Sequence, residues 1–347
     1  MVEYQQIWYN KYMKTLNFFA EEDRLSKLSK LGDHLEKLNS VMDWGIFESL
    51  LKGVFIKESK GAGGRPPYDY VMMFKILILQ RIYNIADDQT EFQINDRMSF
   101  VRFLGLALGE TVPDAKTIWN FRNELAKANV IESLFALFTR ELEACHIITH
   151  KGTIVDATFV DAPKQRNTRE ENKRIKEGDV PEDWGEHKRR QKDTNARWTK
   201  KNNEVHFGYK DHVKVDADSK IITKYAVTSA NVHNSQEFTD FLDDTDETVY
   251  ADSAYAGQEV PAQVRAEICE KGYRNHPLTE EQKKANRDKS KVRCRIEHVF
   301  GYMTGSMRGI TFRGTGKTRA DFNIGLTNLV YNMCRYTTLI HLQHAKG

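Results

Sequence analysis

Three stretches with a two-residue hydrophobic period, all between residues 153 and 229, constrain this chain more than any other feature. Residues 153 to 160 suit a strand. After a charged insertion, "VHFGYKDHVKVD" (205–216) alternates, "ADSK" turns the chain, and "IITKYAVTS" (221–229) alternates again. That pattern predicts three antiparallel strands. A short helix at about 235–243 then leads to "TVYAD" (248–252), a fourth strand whose crossover makes it parallel to a neighbour. A helix beginning near Pro261, a brief extended piece around "YRNHP" and a long helix over about 281–304 follow. The order strand, strand, strand, helix, strand, helix, strand, helix names a candidate: an α/β, ribonuclease H-like mixed sheet flanked by helices. A last helix, 318–341, stripes Phe322, Leu326, Leu329, Val330 and Met333 and is expected to close the core.

Ahead of the sheet the period is helical. Residues 1–60 read as an amphipathic helical segment, and "KGAGGRPPYDY" breaks it. Tyr70 to Tyr83 is apolar nearly all round, which predicts a buried helix, and 91–104 reads as a more amphipathic one. In "VPDAKTIWNFRNEL" (112–125), Asp114 is a candidate N-cap, and Ile118, Phe121 and Leu125 share a stripe that leaves Lys116, Asn120 and Asn123 outward. Two readings stay open there, a helix-turn-helix lying in a DNA groove and a plain helical bundle. The division expected is 1–60, a helical domain over 65–145, and an α/β domain over 150–341 with a charged insertion at about 161–204.

A chain of 347 residues with 40% hydrophobic content has room for two such domains. The longest apolar run, "VMMFKILILQ", is broken by Lys75 and too short for a membrane span, so a cytoplasmic protein is expected. Four cysteines form no CxxC pair, which argues against a zinc ribbon. The net charge of +3 hides blocks: seven basic residues against one acid in Lys188–Lys201, and seven acids without Lys or Arg in Glu237–Asp252. Basic runs beside an acidic cluster fit a phosphate-lined polymer held near a metal pocket.

The acids carry the chemistry. Asp156, in "GTIVDATFV", stands where a strand wants an apolar residue, and Asp252, in "YADSAY", ends the fourth strand; in this strand order the first and fourth strands are adjacent. Two carboxylates brought together repel unless a cation sits between them. Glu297, in "RCRIEHVFG", borders the apolar stripe Val292, Ile296, Val299, Phe300 and Met303, with Arg293 one turn earlier on the same side. An acid there completes a two-metal site, and the arginine orients it or holds a phosphate, so in-line displacement at phosphorus is the expected reaction.

These motifs resemble the DDE transposases of bacterial insertion sequences, and within them the insertion-sequence-five branch. The resemblance rests on the triad Asp156, Asp252 and Glu297 with Arg293, and on "RPPYDYVMMFKILILQ", "VPDAKTIWNFRNEL", "IVDATFV", "HFGYKDHVKVD", "VTSANVHNSQ", "YADSAY" and "RIEHVFGYM", covering about Arg65 to Tyr331. It implies a homodimer that binds the inverted repeats at the ends of its own element, frees 3′-hydroxyl ends and joins them to target DNA using two Mg²⁺ ions, for which Mn²⁺ substitutes. Ser290 and Thr304 depart from the family's usual Tyr and basic residue, with Arg308 as the substitute for the latter, and Asn234 stands where related chains carry Asp. A stand-alone metal-dependent nuclease and a DNA-binding repressor are the competing readings.

The remaining DNA contacts expected are Lys188, Arg189, Arg190, Lys192, Arg197, Lys200 and Lys201 of the insertion, read as a mobile arm or a disordered loop. His206, Lys210, His212 and Lys214 share one face of the second strand, with Lys210 and His212 as possible DNA contacts and Lys214 in water. "RGTGKT" (313–318) is not a P-loop, because Thr311 stands where that motif needs glycine, so no nucleotide cofactor is expected.

Overall fold

The computed structural model describes residues 19–55, 66–181, 183–201 and 203–344. Eight α-helices among the described residues precede the sheet: α1 (Ala20–Lys30), α2 (His34–Val41), α3 (Glu48–Phe55), α4 (Tyr70–Tyr83), α5 (Asp87–Asp96), α6 (Met98–Leu104), α7 (Ala115–Lys127) and α8 (Ile131–Ala144). The first amphipathic segment is interrupted at Gly32, whose φ of +86° ends α1, after which Asp33 caps α2 by accepting from the Leu35 N–H. The remainder of the 1–60 reading, residues 1–18 and 56–60, lies outside the described residues. Helix α4 is buried from Met72 to Ile82, as its composition predicts. The single helix expected at 91–104 is two helices, because Arg97 is extended at φ −107°, ψ 113°.

The sheet has six strands: β1 (Thr153–Asp161), β2 (Arg197–Lys201), β3 (Glu204–Asp216), β4 (Ile222–Ser229), β5 (Thr248–Ala251) and β6 (Arg265–Ile268). β3 pairs antiparallel with β1 on one side and with β2 and β4 on the other, while β5 is parallel to both β1 and β6. The spatial order β4-β3-β1-β5-β6, with β2 added beside β3, is the ribonuclease H-like arrangement. Helices α9 (Arg169–Lys176) and α10 (Glu186–Gln191) lie in the insertion, α11 (Phe238–Phe241) precedes β5, and α12 (Glu280–Arg293), α13 (Arg295–Thr304) and α14 (Lys317–His344) complete the chain.

One hydrophobic cluster runs from α2 and α4 through α14 onto the sheet face carrying Ile154, Val213 and Val215. A smaller one, on the opposite face, holds Val155, Phe238, Val249 and Tyr255. At about 25 cal/mol per Å² of apolar area removed from water, these two layers are the main source of stability. Helix α14 also reaches into the sheet: the Asn332 side chain accepts from the Ile222 N–H (2.9 Å) and donates to its carbonyl (2.7 Å), satisfying the start of edge strand β4.

Four sequence expectations are corrected. No helix begins near Pro261; Val264 N–H closes a turn onto the Pro261 carbonyl, and the next residue enters the parallel strand β6. The extended piece at "YRNHP" is a tight reciprocal bridge between Tyr273 and His276, so the fifth strand of the fold is Arg265–Ile268 instead. Phe238–Phe241 is a single helical turn after a 3₁₀ segment, not a helix over 235–243. The long helix breaks at Cys294, where Glu297 N–H bonds to the Cys294 carbonyl three residues back, a local tightening that re-aims the helix.

The insertion is anchored, contrary to a mobile arm or disordered loop. β2 adds to the sheet, Trp184 is 2% exposed, and the buried Asp193 carboxylate accepts from the Tyr209 hydroxyl and the Ala196 and Gly316 N–H groups.

Candidate active site

β1 and β5 pair only through Thr153–Val249 and Ile154–Tyr250. Beyond that point β1 continues along β3 to Asp161, whereas β5 stops because the Asp252 carboxylate accepts from the Ala254 N–H (2.8 Å) and folds the chain into a 3₁₀ turn, Ser253–Tyr255. The two strands separate at their carboxyl ends, which opens a crevice of the kind α/β sheets use for ligands. Asp156 lies on β1 at its mouth. Its Oδ1 accepts from the Ala157 N–H (2.8 Å), fixing the side chain.

From the other side, α12 and α13 deliver Arg293 and Glu297. Ile296, Val299 and Met303 are fully buried and seat α13 against the sheet, which leaves Glu297 at the margin, 61% exposed. Arg293 Nη1 lies 3.4 Å from Asp156 Oδ2 and 3.8 Å from Glu297 Oε1. The guanidinium therefore stands between two acids that are far apart in sequence. Burial, reinforced by the Asp252 charge and opposed by the Ala157 N–H and Arg293, pushes the Asp156 carboxyl up to about 6. Beneath it Tyr255 is fully buried. Burial and the charges of Asp156 and Asp252 hold its hydroxyl far above the ordinary tyrosine range.

The donor set suits a hard divalent cation. Asp156 and Asp252 stand at the same end of adjacent strands, Arg293 contacts both Asp156 and Glu297, and all three acids offer oxygen. The elevated Asp156 carboxyl is the state from which a bound cation would release it. Among the described residues no three His, Cys, Asp or Glu side chains are gathered around one point; Arg293 lies between Glu297 and Asp156.

The other sequence candidates divide by burial. Lys116 and Asn120 are exposed on α7, with Ile118, Phe121 and Leu125 inward and the Asp114 cap in place, while Asn123 accepts from Arg319 Nε (3.0 Å). In the insertion Lys188 pairs with Glu171 (2.5 Å), Arg190 with Glu186, Lys192 with the Arg166 carbonyl and Asn167, and Arg197 with backbone carbonyls including that of Ile175. Arg189, Lys200 and Lys201 are exposed, as is Arg308. The polar face of β3 meets neither groove nor bulk water: His212 is 1% exposed and bonds Thr228 Oγ1 (2.8 Å), and Lys214 is buried between Asp243 (2.7 Å) and Asp246 (2.8 Å). Lys210 is also buried, holding the Val232 carbonyl and Asn234 Oδ1. Residues 230–246 cover this face, which leaves Lys210 and His212 buried and takes Lys214 out of water. Within the acidic block, Asp243 and Asp246 neutralise Lys214, and the Asp252 charge acts on Asp156. Tyr255 was missed, although "YADSAY" contains it three residues after the acid.

A helical region followed by a ribonuclease H-like sheet with acids at the diverging ends of its central strands defines a candidate phosphodiester-processing enzyme. Two family models match it, "Transposase DDE domain" over residues 148–333 and "Transposase domain (DUF772)" over 23–124. The first spans more than half of the chain, and the protein belongs to the DDE transposases of insertion sequences. No solved structure matches it. Among the described residues no helix is long and apolar enough to cross a membrane.

Proposed function

We propose that this transposase, a homodimer of the insertion-sequence-five-like branch, binds the terminal inverted repeats of its element and catalyses divalent-metal-dependent cleavage and strand transfer. The observation that carries the reading is the bridge by Arg293 between Asp156 and Glu297 in the crevice that Asp252 adjoins. Asp156, Asp252 and Glu297 would hold the ions, Mg²⁺ or Mn²⁺. Such ions, when bound, activate water or a 3′-hydroxyl and neutralise charge on the leaving oxygen. The chain's own groups set the geometry: Ala157 N–H and Ala254 N–H fix the two aspartates, and Tyr255 with Phe238 (ring centroids 5.0 Å apart) closes the underside to water. Arg293, displaced from the carboxylates, is placed to take a non-bridging phosphate oxygen of the scissile strand. The exposed cations Lys116, Arg189, Lys200, Lys201 and Arg308 would supply the sequence-independent part of DNA affinity.

The test is incubation of labelled element ends with Mg²⁺ and a target plasmid. Strand-transfer products are expected. Cleavage without joining would select a stand-alone nuclease, and salt-sensitive binding with neither product would select a repressor.

A further inference from the structure

A cavity of about 340 Å³ lies away from the carboxylates, where α4 and α7 meet the loop between α13 and α14. Its ionisable lining is Arg81, Arg122, Arg313 and Arg319 against the single acid Asp87. That acid is already spent, because Arg122 grips it with two N–H groups at 2.7 and 2.8 Å. Arg81 is 5% exposed; it donates to the Gly309 carbonyl (2.7 Å), yet among the described residues its Nε has no partner. Burying a guanidinium without a counter-charge is costly. Burial and the neighbouring Arg313 charge hold the Arg81 group down, to about 10, and an anion in the cavity would relieve both effects. Arg313 and Arg319 are exposed at the wall, each with a single protein acceptor among the described residues, Asn84 O and Asn123 Oδ1. The Trp119 ring, 44% exposed, lies in the same lining and offers an aromatic surface.

We propose that this cavity is a phosphate-binding site that takes one nucleotide unit, its phosphate on Arg81, Arg313 and Arg319 and its base against Trp119. The volume is at the small end of ligand pockets, about 300–1,000 Å³, and larger than an isolated phosphate needs. The site gives a use to "RGTGKT": the segment fails as a P-loop, yet Arg313 and Gly314 form the cavity wall. It is also tied to the catalytic strand, since Phe312 N–H bonds to the Asp161 carbonyl (3.0 Å) at the end of β1. The phosphate has two possible sources, a strand of bound DNA or a free nucleotide. The first rests on the transposase reading above.

Full-length wild type, Arg313→Ala, Arg313→Lys and the remote control Lys30→Ala are compared. Arg313 and Lys30 are both exposed, and unchanged near-ultraviolet dichroism checks their fold. For element-end DNA the slope of log K against log salt should become shallower by about 1 in Arg313→Ala, with Arg313→Lys near wild type and Lys30→Ala unchanged. That result assigns the site to a DNA strand. An unchanged slope with deoxyadenosine monophosphate binding that is lost in Arg313→Ala assigns it to a free nucleotide. Wild-type behaviour of Arg313→Ala in both measurements, or an equal slope change in Lys30→Ala, overturns the site. Mg²⁺-dependent cutting by wild type is scored separately: its absence would sink the transposition reading and leave the binding comparison standing.

Discussion

Asp156 and Asp252 occupy equivalent places on adjacent parallel strands, each two residues beyond the last paired couple, Ile154 and Tyr250. Parallel register carries both carboxylates to the same end of the sheet, and the two-residue period carries both to the same face. The electrostatic conflict at Asp156 follows from that placement.

The conflict is measurable without metal. Replacing Asp252 by Asn removes a charge that raises the Asp156 carboxyl, so its NMR titration midpoint should fall from about 6 in the metal-free protein. Arg293→Ala removes a charge that lowers it and should move the midpoint up. Opposite movements in the two variants support the arrangement. Movement in the same direction would dissolve it.

Catalysis should depend on each acid separately. Asp156→Asn, Asp252→Asn and Glu297→Gln are each expected to lower strand cleavage and joining by about three orders of magnitude or more, consistent with several kcal/mol of lost transition-state stabilisation. DNA binding, measured by gel shift, should persist. Near-normal joining by any one variant removes that residue from the site.

Much of this was legible in the chain, for identifiable reasons. The period-two runs in β1, β3 and β4 and the run after the crossover fix a sheet order, and that order alone places Asp156 beside Asp252. Asp114 was readable as a cap because its chemistry is local. β6 was not, since "VRAEI" has no strand composition and becomes extended by pairing with β5, a tertiary effect that overrides propensity. The fate of Lys214 was equally hidden: an alternating strand with lysine on one face reads as half-solvated until Asp243 and Asp246, contributed by a later loop, cover it.

Gly208, inside "HFGYKDHVKVD", should be intolerant of a side chain. Its φ is +152°, and an added Cβ would lie 2.2 Å from the Val160 carbonyl oxygen and 2.8 Å from the Ala162 nitrogen, both backbone atoms that cannot rotate aside. Gly208→Ala is expected to cost about 2–4 kcal/mol in chemical denaturation. A loss below about 1 kcal/mol would mean that the end of β1 moves away freely.

The buried pair Asp211 and Asn328 gives the protein a predictable pH dependence. Asn328 Nδ2 donates to Asp211 Oδ1 (3.0 Å), while Asp211 Oδ2 and Asn328 Oδ1 are both buried without partners among the described residues. A proton on Asp211 Oδ2 would satisfy both atoms at once. Burial, opposed only by the Asn328 bond, pushes this carboxyl up to about 8. With the folded value above the unfolded one near 3.9, the stability that depends on the proton is complete below pH 4 and is lost as pH rises through 8. Asp211→Asn keeps the shape, carries no charge and offers an N–H to Asn328 Oδ1. Its stability relative to wild type should therefore increase from pH 4 to 8 by an amount on the order of a few kcal/mol and stay level above. Parallel stability curves for the two proteins across that range would show that Asp211 is already ionised in the folded state.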